Sequence, residues 1–290
     1  MQLPGISKHR RGNLPGLIII GAMKCATTSL HYYLNLHPEI SMSKEKELDF
    51  FSIKRNWDKG IEWYKSHFVG QAKVHGESSP NYTVYPRLKG VPERMYSVIP
   101  DAKLIYILRD PIDRIISQYV HNYSEGRDNR SLEDALRHLG DTNTYIVRSK
   151  YFMQLQQYLN YFPASNIWIM TTDDLHAQRQ KTLQKVFRFL NVEETFFSRQ
   201  FHTVRHKSEA KGRWNRIGLF LKLLSEKHMT GVFSTDTRIK IGRVLRLPFS
   251  TRIERPVLDE TLRGALIDFL REDMNRLREH TGRDFESWCV

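Results

Sequence analysis

The chain has 290 residues, 45 Lys and Arg against 32 Asp and Glu, a net charge of +13, and a hydrophobic content of 40%. That is enough apolar matter for one large α/β domain, or one domain with an appended substrate-binding part. No apolar run approaches the ~18 residues of a membrane span, and two cysteines, Cys25 and Cys289, without clustered Cys/His spacing argue against a disulfide scaffold and a zinc module.

In chain order, residues 1–15 read as a flexible arm that ends in Leu14-Pro15-Gly16. Lys8, His9, Arg10 and Arg11 without an apolar core before Leu17 do not make a secretory signal. A buried strand is expected over 17–20 and a helix over 28–36, stopped by His37-Pro38. A loop or short strand over 44–52 carries Lys46-Glu47-Leu48-Asp49-Phe50-Phe51. A helix over 57–68 and a strand over 73–76 follow, with Glu77 at or just past the strand's end. The clearest second buried strand is 103–108. Helices are expected over 113–123, 132–139 and 144–162, a strand over 166–171, and a helix over 175–190. Strands alternating with helices predict an α/β fold with a central parallel sheet flanked by helices. Beyond Asn191 a basic, loop-rich stretch leads to 219–224, a helix-like 235–247 and a strong helix over 258–280, which Gly282 caps. The expected organisation is the arm over 1–15 and a single domain over 16–290.

Three clusters carry chemistry. The first is the turn after the first strand, Gly21-Ala22-Met23-Lys24-Cys25-Ala26-Thr27-Thr28-Ser29. A strand, a tight turn of small residues and a helix start make an anion cradle, in which helix-start N–H groups, hydroxyls and one Lys face the anion. An ordinary βα turn with a capping Thr is the plainer alternative. It is not the G-x-x-x-x-G-K-[ST] loop of nucleoside-triphosphate enzymes, because Lys24 comes early and no strand ending in Asp stands out to hold magnesium. The second cluster, Arg109-Asp110-Pro111-Ile112-Asp113-Arg114-Ile115-Ile116-Ser117, leaves the carboxyl end of a strand, where ligands of open parallel sheets bind. Arg109 and Ser117 suit a second phosphate, or Arg109 pairs with Asp110 or Asp113 at the helix start. The third, Lys211-Gly212-Arg213, can close over a phosphate or be a solvated loop. It lies in 203–256, where thirteen Lys or Arg face four Asp or Glu. Such a basic stretch raises the on-rate of any anion or merely keeps the chain soluble.

Three basic elements in this order resemble the sulfotransferases. Gly21-x-x-Lys24-x-x-Thr27-Thr28-Ser29-Leu30 is similar to their phosphosulfate loop and Arg109-Asp-Pro-x-x-Arg114-x-x-Ser117-x-Tyr119 to their 3′-phosphate segment. Lys46-Glu47-x-x-Phe50-Phe51, Lys59-Gly60-Ile-Glu-Trp63-Tyr64, Glu77-Ser-Ser-Pro80-Asn-Tyr82 and Lys211-Gly212-Arg213 resemble the heparan-sulfate-type branch, and Thr281-Gly-Arg-Asp-Phe-Glu-Ser-Trp288 the ending of bacterial members. The resemblance implies a P-loop-like sulfotransferase fold and 3′-phosphoadenosine 5′-phosphosulfate as co-substrate, without a metal. It implies that Lys24 holds the bridging oxygen and 5′-phosphate, that Cys25, Ala26, Thr27, Thr28 and Ser29 line the 5′ end, that Arg109 and Ser117 bind the 3′-phosphate, and that Lys211, Gly212 and Arg213 close over it. Glu47 matches the branch's general base, a role that in-line transfer to a hydroxyl needs; a loop carboxylate paired with Lys44 or Lys46 is the alternative.

Two departures stand out. Cys25-Ala26 replaces a frequent Gly-Gly, and Asp49 and Ser78 stand where heparan-type members often carry His and Lys. His75 and His121 are other conceivable bases. The acceptor is expected to be a small molecule or a glycan, with no nucleic-acid polymer as partner, and the location cytoplasmic. The rivals are a P-loop kinase-like phosphotransferase, which needs ATP and magnesium, and a non-catalytic basic module for RNA or another polyanion.

Overall fold

The computed structural model describes residues 14–203, 212–214 and 250–290. Residues 1–13 of the expected arm, Lys211 and the segments 219–224 and 235–247 lie outside the described residues. The elements are β1 (Leu17–Gly21), α1 (Thr27–Leu34), β2 (Ile40–Met42), α2 (Gly60–Lys65), β3 (Val74–Ser78), α3 (Val91–Val98), β4 (Lys103–Leu108), α4 (Pro111–Ser124), α5 (Leu132–Leu136), α6 (Thr144–Val147), α7 (Tyr151–Leu159), β5 (Ile167–Thr171), α8 (Thr172–Ala177), α9 (Arg179–Leu190), β6 (Gly212–Trp214), β7 (Ser250–Arg252) and α10 (Glu260–Thr281).

Five strands pair in parallel in the order β2-β3-β1-β4-β5. β1 and β4 are continuous apolar runs because helices cover both faces of the sheet: Leu17 to Ile20 and Leu104 to Leu108 are completely buried. Each such aliphatic side chain contributes roughly 1.5–3 kcal/mol relative to exposure. All five carboxyl ends fall at one edge. The chain leaves β1 toward β2 and leaves β4 toward β5, so β1 and β4 flank the point where the connections diverge, which is where ligands of such sheets bind. β6 and β7 form a separate antiparallel ribbon, and β6 lies alongside α4.

Several elements differ from the sequence reading for local reasons. The helix expected over 144–162 breaks into α6 and α7. Ser149 is drawn out of helical register, its hydroxyl donating to the Pro111 carbonyl (3.0 Å) and accepting from Arg114 Nε (2.5 Å). Two α10 carboxylate oxygens, on Asp273, then cap the free N–H groups of Phe152 and Met153 at the start of α7 (2.9 and 2.8 Å). The helix over 175–190 begins earlier, because Thr171 and Asp174 form a reciprocal capping box, and it breaks at Gln178 (φ −133°, ψ 50°). In 57–68 a single 3₁₀ turn precedes α2, and Gly60 takes the left-handed φ of +77° between them. β2 and α3 have no counterpart in the sequence reading. No helix among the described residues is long and apolar enough to cross a membrane.

Candidate active site

The cradle is the loop from Ala22 to Ala26. Gly21 is required at its entry: a Cβ there would lie 2.2 Å from Thr83 Oγ1 and 3.0 Å from the Tyr106 ring. Lys24 (φ +72°) and Ala26 (φ +55°) both adopt left-handed backbone, and no side chain caps the first turn of α1. The Thr of the plainer alternative therefore is not a cap; Ala26 holds that position. Thr27 and Ser29 are buried and Thr28 is half-buried. The Cys25 thiol is fully buried, and burial pushes it up to about 11, so it is a neutral packing group.

The loop after β2 faces the cradle. Glu47 (φ +63°) and Asp49 (φ +46°) are also left-handed, so four of the six non-glycine residues with positive φ among the described residues belong to these two loops. Clustered strain of this kind marks functional loops. Lys46 joins them: its Nζ donates to Thr28 Oγ1 at 2.8 Å and Thr27 Oγ1 at 3.4 Å, and lies 3.7 Å from Glu47 Oε1. Burial pulls the Lys46 ammonium below its ordinary value; Glu47 opposes that and Lys24 adds to it. Glu47 thus does pair with Lys46, as its alternative reading held, yet its carboxylate is half exposed and open to a substrate.

This loop rests on the end of β3. Glu47 N donates to the Ser78 carbonyl (2.9 Å), Asp49 N to Ser79 Oγ (3.1 Å) and Phe51 N to the Tyr82 hydroxyl (3.3 Å). Beneath them Glu77 is completely buried and accepts from Tyr64 (2.7 Å), Tyr82 (2.9 Å) and Ser79 (2.8 Å). Burial raises its carboxyl to about 7 despite those three bonds. Burial also raises Asp49, whose Oδ2 accepts from Asn81 at 3.0 Å. His75 lies in the first half of β3, its carbonyl receiving Gly16 N at the opposite end of the strand from Glu77. His121 lies in the last turn of α4. Neither joins the two loops.

At the end of β4, Arg109 Nη2 donates to Asp113 Oδ2 at 2.8 Å, the alternative pairing foreseen for it. The same carboxylate receives Arg255 Nη2 on Oδ1 at 2.5 Å. Two guanidiniums share one carboxylate, and each fork carries further N–H donors of the kind that suit an anion. Asp110 caps α4 through Asp113 N and holds Cys289 N (2.9 and 2.7 Å), so the C-terminal tail closes over this strand end. Ser117 is buried on α4, against which β6, with Gly212 and Arg213, runs. Arg114 turns inward, donating to Ser149, Gln118 and the Tyr145 carbonyl, and serves the core.

Sequence reasoning gave no role to Lys46 as the link between loops, to Glu77 as their support, or to Arg255 and Arg148. Glu77 and Lys46 stood within quoted motifs. Arg255 is one of many basic residues in its region, and Arg148 falls in a stretch read as continuous helix; nothing in the one-dimensional pattern separates either from its neighbours.

Residues 14–215 match the family model described as "Sulfotransferase domain". Heparan sulfate glucosamine 3-O-sulfotransferase 5 of Mus musculus is 35% identical over 191 residues, 62% of this chain and 54% of that protein. Bifunctional heparan sulfate N-deacetylase/N-sulfotransferase 2 of Homo sapiens is 27% identical over 299 residues, 95% of this chain and 31% of that protein. The chain thus spans between about a third and half the length of these curated relatives. The crystal structure of a sulfotransferase from Alicyclobacillus acidocaldarius has the same fold, with a TM-score of 0.67 at 23% identity, covering 96% of this chain and 99% of that one.

Proposed function

The chain belongs to the sulfotransferase family, and we propose that it moves a sulfuryl group from 3′-phosphoadenosine 5′-phosphosulfate to a hydroxyl or amine of an acceptor. The observation that carries the reading is the facing of two strained loops, joined by Lys46, at the same sheet edge as the Arg109–Asp113–Arg255 cluster. One end offers a helix start and Lys24 to a 5′-phosphosulfate; the other offers the donor forks of two guanidiniums to a 3′-phosphate. Lys211, Gly212 and Arg213 belong to the same proposal as the segment that closes over the 3′ end.

In the transfer, an acceptor oxygen forms a bond to sulfur while the bond from sulfur to the bridging oxygen breaks. The electron pair of that bond goes to the 5′-phosphate, where Lys24 and the N–H groups of the cradle meet the growing charge. Glu47 takes the proton that the acceptor hydroxyl releases. Lys46, touching Thr28 and Glu47 together, fixes the spacing between donor and base. The positive potential that the leaving phosphate needs comes from these side chains and the helix start, so each step is written without a metal. The heparan sulfate activities for which the relatives are named favour a glycan acceptor, while Asp49 and Ser78 set this chain apart from the heparan-type pattern.

The test is transfer of labelled sulfuryl groups to a panel of carbohydrate, lipid and phenolic acceptors, with calorimetry of the 3′,5′-bisphosphate nucleotide. Glu47→Gln keeps the nucleotide and loses transfer; Lys24→Ala loses both. Unaltered transfer in Glu47→Gln would remove it as the base.

A further inference from the structure

Arg148 stands in the turn between α6 and α7 and reaches back to the reaction edge. Its Nη1 donates to the Sδ of Met23, the residue before Lys24, at 3.0 Å, and its Nη2 donates to Asn81 Oδ1 at 3.3 Å. Asn81 in turn holds Asp49. The guanidinium therefore spans from the cradle to the loop of Glu47. No carboxylate among the described residues forms an ion pair with it, and its buried Nε has no partner.

A thioether is a weak acceptor and an amide oxygen is neutral. The Arg148 side chain is only partly exposed, and a guanidinium drawn that far from water is costly unless an anion or a full set of strong acceptors offsets it. Arg114, from the same part of the fold, has that full set: a hydroxyl, an amide oxygen and a backbone carbonyl. Arg148 does not. The charges that face it are Asp49 and Glu47 from the base loop, which favour its cation, and Arg114 and Arg87, which oppose it. Burial lowers it to about 10, so it remains charged at neutral pH.

Resting on the donor assignment above, we propose that Arg148 grips the oxygens of the sulfuryl group as that group passes from the phosphate to the acceptor. Those oxygens are anionic and suit a planar fork of N–H donors. They stay on sulfur throughout, while one S–O bond breaks toward the phosphate and another forms toward the acceptor. Arg148 exchanges no proton; it holds and orients the group. It therefore senses the phosphosulfate donor and is indifferent to the 3′,5′-bisphosphate product, which has no sulfuryl group.

Calorimetry with the phosphosulfate donor and with the bisphosphate, without acceptor, reads this directly. Arg148→Met is expected to bind the bisphosphate like wild type and the phosphosulfate about tenfold more weakly, the value of one charge-assisted hydrogen bond. Arg148→Lys, which keeps the charge and loses the fork, covers the case in which the Met variant does not fold, and is expected to fall between Met and wild type. An unchanged ratio of the two affinities in a folded variant overturns the assignment; if turnover then falls only on anionic acceptors, the guanidinium serves the acceptor instead. Wild type that binds neither nucleotide overturns the donor assignment itself, so the two failures are distinct.

Discussion

Glu77→Gln probes the support beneath the loop of Glu47. The wild-type carboxyl is completely buried and titrates near 7, against 4.5 for the free side chain. Between those two values the folded chain keeps a proton that the unfolded chain has lost. Stability from this group is therefore fully present below about pH 4.5, declines as pH rises, and is lost by about pH 7. The difference of two and a half pH units corresponds to about 3 kcal/mol. Gln has nearly the same shape, never ionises, and can keep the Tyr64 and Tyr82 bonds on its oxygen. Asp273, whose carboxyl burial also raises, titrates in both proteins and cancels in the comparison, while the nearby Asp49 charge adds to the rise at Glu77 and belongs to the same difference. Urea unfolding of both proteins from pH 4.5 to 8.5 should show the stability of wild type falling relative to Glu77→Gln by about 3 kcal/mol across that range. Parallel pH profiles would refute the reasoning, because they would mean that Glu77 ionises in the folded chain as easily as in water.

Three further outcomes follow from the same geometry. Ala26→Gly removes a Cβ from left-handed backbone, which costs roughly 1–2 kcal/mol, against the greater freedom of an unfolded glycine, roughly 0.4–1 kcal/mol; the thermal midpoint should rise slightly, and a fall would contradict the strain reading. Arg114→Met leaves Ser149, Gln118 and the Tyr145 carbonyl without their donor and should lower unfolding stability by about 3 kcal/mol or more; a loss under about 1 kcal/mol in denaturant titration would show that these groups find other partners. Lys46→Met should slow sulfuryl transfer on the order of tenfold to a hundredfold by loosening donor from base, with a near-normal melting temperature; unaltered single-turnover rates would deny it a positioning role.

The sheet was legible because its inner strands are unbroken apolar runs, a pattern that survives in one dimension. Leu17 to Ile20 and Leu104 to Leu108 could only be buried on both faces. The cradle was legible because strand, small residues and hydroxyls are adjacent in sequence. What escaped depends on partners far away in the chain. Ser149 breaks a helix by bonding to Pro111 and Arg114, Asp273 caps α7 from 120 residues away, and β2 has too few residues to display alternation. Arg109 illustrates the limit from the other side. Its neighbours made an ion pair with Asp113 foreseeable, but the second guanidinium on that carboxylate comes from Arg255, beyond β7, and brings a second donor fork to the strand end.

The central claim is that one nucleotide is held at two phosphates, by the cradle and by the end of β4. Calorimetric titration of the wild-type chain with the adenosine 3′,5′-bisphosphate, and separately with the 5′- and 3′-monophosphates, measures this most directly. The bisphosphate should bind about a hundredfold tighter than either monophosphate, as two charge-assisted grips require, whereas equal affinity for the bisphosphate and the 5′-monophosphate would contradict it.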